Sequence, residues 1–102
     1  MPPDTGGSSE LLDALASPDP ATRAAAVAAA TLDPDTEEAV VGALRDPEPK
    51  VRLAAIGKLE DWGGSAALGA LAEAATRDPA PEVRARAVGA LGEVVRRRLR
   101  SD

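Results

Sequence analysis

The chain has no cysteine, no histidine, no tyrosine and no phenylalanine, and one tryptophan and one methionine among 102 residues. Without cysteine there is neither a disulfide framework nor a thiolate metal site. Without histidine, cysteine or tyrosine, the usual general bases and strong nucleophiles are missing. The aromatic platforms on which single-stranded nucleic acid stacks are also lacking. No apolar run approaches the roughly 20 residues of a membrane span, and Met1 to Ser9 lacks the apolar stretch of a secretory signal. The expectation from these absences is a cytoplasmic protein without a cofactor and without catalysis.

The residues that are present include 23 alanines, against eleven leucines and eight valines. An alanine-rich interior lets helices approach closely but buries little area per residue, so it stabilises modestly. The net charge of −5 is uneven. Residues 1–51 hold ten acids and three bases, whereas residues 52–102 hold seven acids and nine bases. An acidic first half disfavours general nucleic-acid binding, whose affinity comes largely from neutralised phosphates.

Three segments superpose: Ser17-Pro18-Asp19-Pro20-Ala21-Thr22-Arg23, Asp46-Pro47-Glu48-Pro49-Lys50-Val51-Arg52 and Asp78-Pro79-Ala80-Pro81-Glu82-Val83-Arg84. Their arginines lie 29 and 32 residues apart. After each arginine, Ala26, Ala55 and Ala87 fall three places on, Val27, Ile56 and Val88 four, and Ala30, Leu59 and Leu91 seven. Helical spacing inside a period near 30 predicts a stack of helix pairs. The paired prolines fix each connector, since the first cannot continue a helix and the second suits the next helix's first turn.

The expected architecture is all-α, an α-solenoid of three helix pairs (six helices). The first helix is expected from Ser8 or Ser9 to Ser17, and the second from Asp19 to about Ala30. The third starts at Asp33-Pro34 with Val40, Val41 and Leu44 inward, and the fourth at Glu48-Pro49 with Val51, Ala55 and Leu59 inward. The fifth follows the Gly63-Gly64-Ser65 turn with Leu68, Leu71, Ala72 and Ala75 inward. The sixth starts at Pro81, burying Val83, Ala87, Leu91, Val94 and Val95. The expected organisation is a flexible leader at 1–8, a repeat domain at 9–95 with units 9–32, 33–62 and 63–95, and a basic tail at 96–102.

The pattern Asp-Pro-x-Pro-x-Val-Arg-x-x-Ala-x-x-x-Leu, at Asp46–Leu59 and Asp78–Leu91, resembles HEAT repeats. The short period is similar to the subclass found in phycobilin lyases and many small bacterial proteins. The first unit departs from the pattern, with Ser17, Thr22 and Ala30 where the others have Asp, Val and Leu. The resemblance implies a concave surface, lined by second helices, that grips partner proteins. Larger HEAT-like enzymes, the deoxyhypusine hydroxylases, hold iron with His-Glu pairs, and no residue here replaces those imidazoles.

Several residues invite a functional reading. At about 100° per residue, Arg52 starts from the buried side of its helix. There Arg23, Arg52 and Arg84 can form a structural ladder with loop carbonyls or with Asp46 and Asp78. A ligand-binding row is the alternative. Leu53, Gly57, Ala85 and Gly89 point outward, a row of small residues with one exposed leucine, and with Arg86 beside them, which adds a charge where the other units have Ala25 and Ala54, they are the candidate partner contacts. Gly inside a helix costs about 1 kcal/mol relative to Ala, which close approach of a partner backbone would explain.

Trp62 is either a plug between repeats or a partner anchor. Asp33 and Asp35 beside Pro34 read as helix caps rather than as a metal site. Arg96, Arg97, Arg98 and Arg100 form a basic patch at a helix end. Val94, Val95 and Leu99 extend an apolar stripe there, so self-association through the C-terminal helix is expected as an option. The functional expectation is a non-catalytic scaffold or adaptor binding another protein. The alternatives are a lyase- or chaperone-like subunit cradling a bilin or other cofactor, and a weak binder of anionic polymers through the arginines.

Overall fold

The structure is a computed structural model that describes residues 7–31 and 33–101, with side chains for residues 10–31 and 33–100. Six helices follow in order: α1 (Gly7–Leu15), α2 (Pro20–Ala29), α3 (Pro34–Ala43), α4 (Pro49–Trp62), α5 (Ser65–Arg77) and α6 (Pro81–Ser101). Among the described residues there is no strand. No described helix is long and apolar enough to cross a membrane.

Four of the five helices after α1 begin at a proline, and in α2 and α3 the aspartate before it caps the start. Asp19 caps α2, accepting the Ala21 N–H at 3.3 Å and the Thr22 hydroxyl at 2.8 Å. Those bonds, the Thr22 one foremost, hold its carboxyl below the ordinary aspartate value. Asp33 caps α3 by accepting from Asp35 N (3.0 Å) and Thr36 N (3.1 Å), and Thr36 Oγ1 accepts the Asp33 N–H in return. The Asp33 carboxylate is thus committed to a helix start. Gly63 ends α4 with φ 70°, its N–H bonded to the Leu59 carbonyl, a left-handed cap that suits glycine.

Helix pairs α1–α2, α3–α4 and α5–α6 form hairpins. The second helices pack side by side as α2–α4–α6, and the first helices as α1–α3–α5, giving two layers. The core lies between them: Val27, Val40, Val51, Ala55, Ile56, Leu59, Ala67, Leu71, Val83, Ala87 and Ala90 are fully buried. Leu91 packs partly buried against the same interior as Val51 and Val83.

The details differ from the sequence expectation in several places. Helix α1 begins at Gly7, so Ser8 and Ser9 lie inside it; residues 1–6 of the expected leader lie outside the described residues. Helix α3 buries Val40 and Ala43, leaving Val41 and Leu44 half-buried. Helix α5 buries Ala67, Leu71 and Ala74, while Ala72 is exposed. The arginine-rich segment is not a separate tail, because α6 runs through it to Ser101. Val94 is buried, but Val95 is exposed, with none of the described helices over that side.

Candidate functional site

The repeated arginines tie the connectors together. Arg23 Nη1 donates to the Ser17 carbonyl (2.8 Å), Arg52 Nη1 to Asp46 O (2.8 Å) and Arg84 Nη1 to Asp78 O (2.7 Å). Each arginine therefore clamps the start of its own connector. The Nε–Nη2 edge then reaches the next repeat. Arg23 grips Asp46 at 2.8 and 3.1 Å, and Arg52 grips Asp78 at 2.8 and 3.2 Å, both bidentate. The same carboxylates also accept the N–H two residues on, from Glu48 and Ala80, each at 2.9 Å.

Arg23, then the Glu48 N–H, hold the Asp46 carboxyl below its ordinary value, and Asp46 raises the Arg23 guanidinium. There are two carboxylate rungs, not three: Arg84 has no carboxylate on its outer edge among the described residues.

The outward row of the second helices is a mixed surface. Ala85, Arg86 and Gly89 are exposed, whereas Leu53 is half-buried and packs against the core, so it does not project as expected. Helix α4 has neighbours on both flanks, which a single helical wheel does not include. Arg86 turns back towards α4 and pairs with Glu60 at 2.8 Å. A Cβ on Gly57 would meet only Arg86 Nη2, at 3.8 Å, and one on Gly89 would meet nothing within 4 Å. Arg86 and Glu60 close one end of a shallow recess that also takes in Ala28, Ala54, Gly57 and Lys58. Trp62 is half-buried, packed against the core, with the Lys58 ammonium 6.0 Å from its ring centre.

A second hollow escaped the sequence reading. Between α3 and α5 lies an open cleft of about 430 Å³, floored by Val41, Leu44, Ala70 and Ala74. Arg45, Glu73 and Arg77 stand around it, and the Arg52–Asp78 rung closes one end. Adjacent Val40 and Val41 were the available signal, because side chains about 100° apart cannot both face the centre of one core.

The four arginines near the C-terminus are largely engaged. Arg96 pairs with Glu93 at 2.8 Å and Arg100 with the same carboxylate at 3.7 Å, which lowers the Glu93 pKa, the Arg96 bond foremost. Arg97 donates to the Glu60 carbonyl and so pins α6 to the end of α4. Arg98 has no ion pair among the described residues. Beside them Val88, Val95 and Leu99 are exposed, Leu99 to 70%.

Compared with known families, residues 8–97 match HEAT repeats. No curated protein matches the chain.

Proposed function

The chain belongs to the HEAT-repeat family, and we propose that it is a protein-binding module that holds its partner on the outer face of α2, α4 and α6 and performs no chemistry. HEAT repeats generally mediate protein–protein interactions. The observation that carries the placement is the pair Gly57 and Gly89. Each weakens its helix by about 1 kcal/mol relative to alanine. Yet a Cβ at Gly89 would meet open space and one at Gly57 only a flexible arginine tip. Packing inside the chain therefore does not require either glycine, whereas a partner backbone lying close across the face would. Ala85 and Arg86 of α6, with the half-buried Leu53 and Trp62 of α4, are the further contacts assigned to that partner under this reading.

The test is co-purification from the native source with Ala85→Glu and Gly89→Glu, both at exposed positions, with helicity checked by circular dichroism. Loss of the same partner in both variants at unchanged helicity is the expected result. Retention in both would overturn the placement on this face.

A further inference from the structure

The last repeat carries the face that its predecessors bury against the next repeat. Four residues after the ladder arginine, Val27 and Ile56 are 0% exposed, whereas Val88 is 58% exposed. Helix α4 covers that side of α2, and α6 covers that side of α4. Along α6 the uncovered side carries Val88, Val95 and Leu99, a helical stripe headed by the Arg84 guanidinium, with the half-buried Leu91 at its edge.

Arg84 is already set in the geometry that its counterparts use. Its Nη1 holds the Asp78 carbonyl at 2.7 Å, as Arg23 and Arg52 hold Ser17 and Asp46. Its remaining edge is the one that in Arg23 and Arg52 takes an aspartate from the following connector. The opposite end of the stack differs. There Ser17 stands in the aspartate position and keeps only the local turn, accepting the Asp19 N–H at 3.1 Å. Among the described residues the ladder has its carboxylate rungs at Arg23 and Arg52 and none at Arg84.

We infer that the outer side of α6 is a docking surface for a helix of another protein that carries a carboxylate at its N-terminal approach. The acid takes the free edge of Arg84, and the apolar side of the helix covers Val88, Val95 and Leu99. Charge complementarity selects this occupant over a second copy of the chain. Two α6 surfaces face to face would bring Arg84 and the Arg96–Arg100 cluster against their own equivalents. The first repeat of another copy would offer Ser17, which has no carboxylate. This surface is independent of the face around Gly89, which lies about 100° around α6 from Val88.

The two internal junctions supply the probe: a labelled synthetic peptide of residues 76–95, the connector and helix that cover α4. It is titrated with the full chain and followed by fluorescence anisotropy. Saturable one-to-one binding is expected, abolished by Val88→Glu in the chain and unchanged by Gly89→Glu. Arg84→Lys, which keeps the charge but loses the two-pronged grip, should weaken binding about tenfold. A peptide with asparagine in place of Asp78 should lose as much, and the two changes together no more than either alone. Absence of binding, binding indifferent to Val88→Glu, or fully additive losses would each overturn the inference. So would sedimentation showing that the chain alone dimerises and that Val88→Glu restores the monomer, which would give the surface to a second copy.

Discussion

Ile56 and Val88 hold the same place in consecutive repeats, yet one is sealed and the other is more than half exposed. Arg52 and Arg84 make the same contrast: the Arg52 side chain is 8% exposed and gripped by Asp78, while Arg84 keeps one edge open. The difference lies in what stands beside them, not in the residues. In a stack where each unit touches only its neighbours, a repeat supplies a surface and the next repeat decides its use. The terminal unit is thus a natural experiment on the inner ones.

The sharpest way to break this comparison is to remove the inner rung. Asp78→Ala leaves the Arg52 guanidinium buried without its acid and the Ala80 N–H without its acceptor. A loss of about 3–5 kcal/mol is expected. Arg84→Gln gives up only a carbonyl bond, with an expected loss of about 1 kcal/mol. Urea denaturation measures both. Equal midpoint shifts would mean that the inner and terminal repeats are held alike.

The apolar counterpart comes next. Ile56→Ala empties a fully buried site and should cost about 2–5 kcal/mol. Val88→Ala, on the uncovered side, should stay within about 0.5 kcal/mol. A large cost at Val88 would show that something in the isolated chain already covers that face.

Acid sharpens the contrast further. With its pKa lowered by Arg23, Asp46 favours the folded state above the ordinary aspartate value of about 3.9. That contribution falls away as pH drops below this value towards the lowered folded pKa. A stability–pH profile should lose this acid-side slope in Arg23→Gln and keep it in Arg84→Gln, whose arginine faces no carboxylate among the described residues.

The connectors and the ladder were legible in the sequence because prolines, aspartates and arginines recur at fixed offsets, and each has a definite local effect on the backbone. The interior was less so. In helices made largely of alanine, buried and exposed positions carry the same methyl group. The inward sides of α3 and α5 are therefore read one position away, with Leu44 in place of Ala43 and Ala75 in place of Ala74. Leu53 was placed outward from one helix in isolation, and its half-burial comes from neighbours distant in sequence. The cleft between α3 and α5 has the same origin. Arg86 was singled out for adding a charge where the pattern needs none, but its bond to Glu60 depends on the spacing of α4 and α6. The open edge of Arg84 is visible only by comparing three repeats in space.

The smallest effect separates the two surfaces. Gly57 and Gly89 occupy equivalent places, five residues after Arg52 and Arg84, one on the inner helix and one on the last. Gly89→Ala adds a methyl group that meets nothing within 4 Å, so the free chain should gain about 1 kcal/mol from helix propensity alone. Gly57→Ala should gain no more than this, since its methyl group would touch Arg86 at 3.8 Å, an ordinary contact. If glycine is there for a partner's backbone, the same two substitutions should weaken capture of that partner while raising the melting temperature. Binding of the 76–95 peptide at the outer side of α6 should be untouched by either. A gain in stability with undiminished capture would show that the face around Gly89 is spare surface, and would leave the end of the ladder as the working one.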